Sequence, residues 1–314
     1  MYSKILILIV SVSMLLGSCS IASAGTKLKV MTYNLQVGIP VWEELGKYTP
    51  GAADMDRQAK VINSTKADII GLNEVDRYYG SPTASRSGYL HIAQELSKRT
   101  GKHYAYGSTR DDGAWPGPGM TDYIEWGKGT TWQSNRTPQG AYGNAQLTRF
   151  SITTVINYKL PMAKGNEQRC MLMTEQVFSH KTIHVYNAHL QNGTDTTQIM
   201  DRWNQATEIS RILSQDANPN KILMGDFNWD NEIEGKRLKT NMPETQFMAL
   251  FTKLGLKDAA AALGKAPQKT YSADKPTIRL DYIFVSPAFK VLKAEVIKAD
   301  ASDHRPLAVE LDFK

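Results

Sequence analysis

The sequence predicts an α/β layered domain. Short β-rich runs alternate with stretches of helical period along the chain, which argues against an all-β or all-α fold. Several of the apolar strand runs end on Asn, Asp, Glu or His, where open α/β sheets place ligands. The 314 residues, less an N-terminal leader, suffice for one large core.

The elements follow in order. Residues 28–34 read as a strand, 54–66 as a helix, and 68–72 as a compact apolar strand ending on Asn73-Glu74. A helix over 88–100 carries Leu90, Ala93 and Leu96 at helical spacing, and a strand follows at 103–106. From 111 to 136 the chain is rich in Gly, Trp, Asp and Thr with no sustained period, which predicts a long surface excursion of the kind that is often functional. Strands are expected at 142–147, 153–160, 169–178 and 182–190, then a helix over 197–213. Lys221-Ile222-Leu223-Met224 reads as a strand broken by Gly225. A helix near 244–254 and strands at 280–285, 290–297 and 306–313 finish the chain, which has no tandem repeat.

The N-terminus bears on the compartment. Lys4 precedes an apolar run over 5–16 and then small residues, the layout of a secretory signal, and the run is too short to span a bilayer. Two cleavage readings compete. Ala22-Ser23-Ala24 suits ordinary signal peptidase, whereas Leu16-Gly17-Ser18-Cys19 resembles a bacterial lipobox that leaves Cys19 lipidated. The lipobox is preferred because Cys19 abuts the apolar run. The expectation is a leader over 1–24 and one exported domain over 27–314, acting as a monomer, either a cell-envelope lipoprotein or a secreted or periplasmic enzyme. The only other cysteine, Cys170, lies in an apolar run and reads as a buried small hydrophobe, so a disulfide scaffold and a cysteine zinc site are both excluded. The formal charge of +6 is scattered among acids, which does not favour nucleic acid but suits an anionic substrate.

Asn34, Glu74, Asn187, His189, Asp226, Asn228, Asp281, Asp303 and His304 are the polar residues at strand ends. Any one alone serves equally as a turn or cap. Together, carboxylates and Asn with only two His favour Mg²⁺ over zinc, because Mg²⁺ prefers carboxylate, carbonyl and water ligands. Arg86 and Arg169 are each candidates for substrate phosphate or for a solvated ion pair.

In order, the chain reads Thr32-Tyr33-Asn34-Leu35, Asn73-Glu74-Val75, Asn187-Ala188-His189-Leu190, Gly225-Asp226-Phe227-Asn228, Leu280-Asp281-Tyr282-Ile283 and Ser302-Asp303-His304-Arg305-Pro306. This resembles the endonuclease/exonuclease/phosphatase superfamily of DNase I-like nucleases, neutral sphingomyelinases and inositol polyphosphate phosphatases. The resemblance implies a four-layer α/β sandwich, two packed β-sheets flanked by helices, with the active site at one end of the sheets. It implies that Glu74 is the principal ligand of Mg²⁺, or alternatively Mn²⁺, that Asn34 aids water-mediated or phosphate contacts, and that Asp303 completes the metal site or holds His304. By the same carry-over His304 is the general acid/base, Asp226 orients or deprotonates the attacking water, and Asn228 donates to the phosphate. His189 then hydrogen-bonds a phosphoryl oxygen and Asp281 supports His189. Asn144, in Gly143-Asn144-Ala145, resembles a family segment that reaches the site, and it joins Asn187, Arg86 and Arg169 as a candidate substrate contact.

The function so implied is hydrolysis of a phosphodiester or phosphomonoester outside the cytoplasm, on a lipid-linked or small organic phosphate. A secreted nuclease is the alternative enzyme, with Trp115, Trp126 and Trp132 able to stack on bases. A binding protein that has lost catalysis is the third reading, opposed by the competent residues at every catalytic position.

Overall fold

The computed structural model describes residues 26–79, 86–111, 124–134, 140–230, 244–264 and 268–314. The leader with Cys19, and Trp115 with the middle of the 111–136 segment, lie outside the described residues.

In chain order the elements are β1 (Thr26–Asn34), α1 (Ala52–Thr65), β2 (Ile69–Arg77), α2 (Ile92–Thr100), β3 (His103–Asp111), β4 (Ile124–Lys128), β5 (Thr131–Ser134), β6 (Ala141–Thr148) and β7 (Ile152–Lys159). Then come β8 (Cys170–Phe178), β9 (Lys181–His189), α3 (Thr196–Gln215), β10 (Lys221–Asp226), α4 (Glu244–Thr252), β11 (Lys257–Asp258), β12 (Asp281–Val285), β13 (Phe289–Val296) and β14 (Leu307–Phe313). One sheet has the order β13-β14-β1-β2-β6-β3-β4-β5 and the other β11-β12-β10-β9-β8-β7. Both are mixed, because β1 runs parallel to β2 and β10 to β9 while the other pairs are antiparallel.

Period-two alternation sends each central strand's side chains to two different apolar layers. Met31, Tyr33, Ile70 and Leu72 pack outward against Met55 and Ile62 of α1 and Ile92 and Leu96 of α2. Tyr186, Leu223 and Phe284 pack outward from the other sheet against Ile209 of α3 and Phe247 and Phe251 of α4. The remaining set, with Leu28, Val30 and Ile69 from one sheet and Val185, Ile222 and Ile283 from the other, fills the space between them. Three apolar interfaces define four layers, the DNase I-like α/β sandwich. The helix starts are locally encoded: Asp54 accepts the Gly51 N–H at the head of α1, and Asp195 accepts the Gln198 N–H at the head of α3.

The structure corrects two local expectations. The 111–136 segment is not one loop, since 124–134 forms the β4–β5 hairpin, which extends the first sheet through β3. Gly225 does not break β10. It stays in the strand at φ 141°, and a Cβ there would collide with the Ala188 carbonyl oxygen of β9, so only glycine lets the two strands run this close. Cys170 is fully buried, and burial pushes its thiol up to about 12, as suits a packing residue. No helix among the described residues is long and apolar enough to cross a membrane.

Candidate active site

The inward face of each central strand changes from apolar to polar toward one end of the sandwich. β9 reads Ile183, Val185, Asn187, His189 and β10 reads Ile222, Met224, Asp226, while the antiparallel β12 reads Val285, Ile283, Asp281 in the same direction. Register then aligns Asp281, Asp226 and His189 in one row across this sheet. On the facing sheet Asn34 lies opposite Asn73.

A β-bulge brings in the next residue. Leu72 pairs with Ala145 and Val75 with Gly143, so Asn73 and Glu74 together oppose Asn144. Glu74 takes φ 56°, an uncommon conformation for a side chain with a Cβ, and its carboxylate reaches Asn34. Asn34 Nδ2 donates to Glu74 Oε1 at 3.1 Å and to Asp226 Oδ2 at 2.9 Å, tying the two sheets together at the site.

Asp226 is the centre of the arrangement. Its Oδ1 accepts the Asn228 backbone N–H at 2.8 Å, and its Oδ2 lies 3.7 Å from His304 Nε2 and 3.6 Å from His189 Nε2. Burial, opposed by His304 and reinforced by Asp281, pushes the Asp226 carboxyl up to about 6. Burial alone would lower His304, but Asp281 and Asp226, with Asp303 behind them, outweigh it and raise the imidazole to about 10. His189 goes the other way, held well below the ordinary histidine value by burial and then by Arg169 and His304. The two imidazoles beside Asp226 are thus driven in opposite directions, His304 toward its charged form and His189 toward its neutral one.

Glu74, Asp226, Asp230 and Asp303 line a cavity of about 370 Å³ together with Asn228, Tyr271 and His304. Burial raises Glu74, with Asp226 adding to the rise, and burial raises Asp303 to about 6, with Glu74 adding to it. Among the described residues no group of three or more His, Cys, Asp and Glu could cage an ion. Mg²⁺ needs no such cage, since it keeps several waters and binds through one or two carboxylates plus substrate phosphate. The chemistry of the donor set, oxygen atoms on Glu74, Asp303 and Asn34 with an excess of buried negative charge, fits such a cation.

Eight of the twelve expected site residues converge here: Asn34, Glu74, His189, Asp226, Asn228, Asp281, Asp303 and His304. Four others do not reach the cavity. Asn144 donates to the Cys170 carbonyl and accepts from Asn73, and Asn187 donates to the Leu72 and Ala145 carbonyls, so both amides are consumed between the sheets instead of contacting substrate. Arg86 forms a two-pronged pair with the buried Asp76 carboxylate, the ion-pair alternative. Arg169 is neither a phosphate contact on the cavity wall nor solvated, because it is 1% exposed and its Nη1 lies 3.1 Å from His189 Nδ1. A correction of pairing goes with these. Asp281 Oδ2 accepts from His304 Nδ1 at 2.9 Å and thus supports His304, not His189; register places Asp281 on the far side of Asp226 from His189.

Sequence reasoning passed over four supporting residues. Asn73 accepts the Asp226 N–H and donates to the Ala188 carbonyl, Ser302 donates to the Asn34 carbonyl, and Gln36 accepts the Asp303 N–H. Asn73 was legible as the inward residue beside Glu74. Tyr271, whose ring centre lies 4.9 Å from that of His304, belongs to an isolated bridge that no periodicity marks.

The geometry has parallels among known proteins. The sequence pattern of the Endonuclease/Exonuclease/phosphatase family matches residues 31–304. Among solved structures, an endonuclease/exonuclease/phosphatase from Beutenbergia cavernae superposes with a TM-score of 0.64 at 22% identity, covering 91% of this chain and 72% of that one. A family protein from Bacteroides thetaiotaomicron gives 0.62 at 18% identity over 92% of this chain and 99% of its own. A mannosyl-6-phosphatase from the same organism gives 0.59 at 19% over 91% and 100%. No curated protein sequence matches significantly. The family is one of phosphoric ester hydrolases that are in general divalent-metal dependent. With the matched segment spanning Asp281, Asp226 and His189, the chain belongs to the endonuclease/exonuclease/phosphatase family.

Proposed function

We propose that the protein is a divalent-metal-dependent hydrolase of a small or lipid-linked organic phosphate ester, exported from the cytoplasm. The observation that carries this reading is Asp226 Oδ2, set between the Nε2 atoms of His304 and His189 and held by Asn34 beside Glu74. Hydrolysis at phosphorus needs an oriented water, charge neutralisation on the non-bridging oxygens and a stabilised leaving oxygen.

Bound by Glu74 and Asp303 with help from Asn34, Mg²⁺ or Mn²⁺ would neutralise charge on the phosphate oxygens. Asp226 orients the attacking water and accepts its proton as the new O–P bond forms and the ester P–O bond breaks. Its raised carboxyl makes it a stronger base than an exposed aspartate. His304, anchored at Nδ1 by Asp281, presents a charged Nε2–H to the reacting phosphate. Asn228 and His189, whose Nδ2 and Nε2 lie 3.2 Å apart, would meet the other phosphoryl oxygens.

Among the described residues lining the cavity there are four carboxylates and no Lys or Arg. Such a wall suits a substrate with one phosphate and an uncharged remainder better than a polyanion, and the mannosyl-6-phosphatase among the structural neighbours supports the sugar-phosphate part of this class. Export through the leader, with Cys19 lipidated, is part of the same proposal, and mass spectrometry of the mature N-terminus tests it. An unmodified chain starting at Gly25 would replace the lipoprotein with a soluble enzyme.

Hydrolysis of bis-p-nitrophenyl phosphate and p-nitrophenyl phosphate, with Mg²⁺, Mn²⁺ or EDTA, tests the activity. A panel of sugar phosphates, phosphatidylinositol, sphingomyelin, DNA and RNA then sorts the substrate. Turnover should require the metal. Full activity after exhaustive chelation overturns the metal requirement, and preference for DNA or RNA overturns the substrate class.

A further inference from the structure

The catalytic groups form only part of the cavity wall. Another part comes from residues 270–278, a strap that doubles back on itself. The Thr270 and Tyr271 N–H groups both donate to the Ile278 carbonyl, and the Thr277 and Ile278 N–H groups donate to the Tyr271 carbonyl. The strap is fastened to the segment that carries Asp303 and His304. Arg305 N–H donates to the Thr270 carbonyl, Ala273 N–H to the Asp303 carbonyl, and Arg305 Nε to the Ala273 carbonyl at 2.6 Å. Tyr271 forms antiparallel bridges with both Ile278 and His304, and residues paired in this way point to the same face. The phenol ring, the aliphatic side chain and the imidazole therefore stand side by side, with the Tyr271 and His304 ring centres 4.9 Å apart.

Tyr271 and Ile278 are half-buried and line the cavity together with Leu280, an apolar surface that hydrolysis at phosphorus does not itself require. The same cavity is lined by Asn192 and Thr194, on the exposed loop after β9, and by the buried Asp230. That loop is held in place. Arg202 donates to the Gln191 and Gly193 carbonyls at 2.9 and 2.7 Å, and at Gly193, with φ 93°, a Cβ would collide with Gln198 Oε1. An apolar patch with amide, hydroxyl and carboxylate groups around it matches an alcohol that has a flat C–H face and a rim of hydroxyls. A fatty chain lacks the hydroxyls, and an open-chain polyol lacks the face. The volume of about 370 Å³ falls within the range of small-ligand sites, ~300–1,000 Å³. Because Tyr271 abuts His304, the unit it meets is the one bonded to the phosphate.

We propose that Tyr271 and Ile278 form the subsite for the alcohol part of the ester and select a cyclic polyol, a sugar or cyclitol, that carries one phosphate. The proposal rests on the hydrolase reading above and narrows it.

Steady-state kinetics with Mg²⁺ test the selection. Glucose 6-phosphate and inositol 1-phosphate should exceed glycerol 3-phosphate, which has hydroxyls but no ring, by about tenfold or more in kcat/KM. Equal turnover of glycerol 3-phosphate overturns the proposal. Tyr271→Ala should raise KM for the ring substrates about tenfold and affect glycerol 3-phosphate much less, and Tyr271→Phe, which keeps the ring, should recover most of the loss. An equal loss on every substrate would mean that Tyr271 only steadies His304. A loss in Tyr271→Phe as large as in Tyr271→Ala would mean that the hydroxyl acts, and either result overturns the proposal. Should Tyr271→Ala not fold, Ile278→Ser at its half-exposed position repeats the test. Phosphatidylinositol vesicles beside free inositol 1-phosphate tell whether the ring arrives on a lipid or free, and turnover of either supports the ring. If no ester is hydrolysed, the function falls and the subsite is judged by binding alone. The methylene phosphonate analogue of glucose 6-phosphate, followed by saturation-transfer NMR with Mg²⁺, should bind about tenfold more weakly to Tyr271→Ala than to the parent. Equal binding, or none to the parent, overturns the proposal.

Discussion

Two buried histidines each touch a buried carboxylate, and they end in opposite charge states. His91 Nε2 lies 2.6 Å from Glu125 Oε1, and His304 Nδ1 lies 2.9 Å from Asp281 Oδ2. His91 also caps α2, accepting the Gln94 N–H at Nδ1, which requires a bare nitrogen. Glu125 in turn accepts from Arg77 Nε and from the Tyr104 hydroxyl, so its charge is already matched. Burial therefore wins at His91 and holds it below the ordinary histidine value despite Glu125. At His304 burial loses to Asp281, Asp226 and Asp303. A hydrogen bond to a carboxylate does not by itself decide protonation; the balance of charge in the surrounding shell does. A matched shell builds structure, whereas a shell with surplus carboxylates attracts cations.

The largest test of this contrast is Asp281→Asn. With the anchor of His304 neutralised, kcat should fall about 10³-fold or more while the circular dichroism spectrum is retained, the scale seen when the carboxylate orienting a catalytic histidine is lost. An unchanged kcat would make His304 no different from His91. Glu125→Gln should do the reverse. Removing the charge beside buried Arg77 should destabilise the fold by about 3 kcal/mol in urea titrations, with kcat per folded molecule near that of the parent. The smallest effect is the acid response of His91. Its value is lowered by folding, so its contribution is complete above 6.5 and is lost as pH falls below that. The loss is at most about 1.4 kcal/mol per pH unit. His91→Asn, which keeps a capping side chain, should remove this component of acid destabilisation, and an identical pH slope would show that His91 is protonated in the fold.

Much of this was legible in the chain because strands alternate. Reading every second residue gives Ile183 and Val185 and then Asn187 and His189 in β9, and Ile222 and Met224 and then Asp226 in β10, so the polar end of the row is visible before any fold is known. Partnership across strands was not legible. Asp281 supports His304 because register sets it on one side of Asp226, and neither position is close to the other in sequence. Likewise Arg169 and His189 meet only because β8 and β9 are antiparallel neighbours. Gly225 looked like a break because glycine is usually a punctuator, yet here it permits close approach of two strands. The β4–β5 hairpin escaped because five- and four-residue strands rich in Trp, Gly and Thr carry no sustained period.

The amides between the sheets have a consequence for assembly. Apolar faces tolerate sliding, since one methyl contact replaces another, but Asn73, Asn144, Asn187 and Gln146 each need particular partners: Ala188 O for Asn73, Cys170 O for Asn144, Leu72 O and Ala145 O for Asn187, and Leu172 O and Val185 O for Gln146. A docking shifted by one residue would strand all of them in a dry interior at once. Glu74 belongs to one sheet and Asp226 to the other, so no partly docked chain can bring them together. Turnover during refolding would then report the final locking of the two halves, lagging behind the recovery of secondary structure.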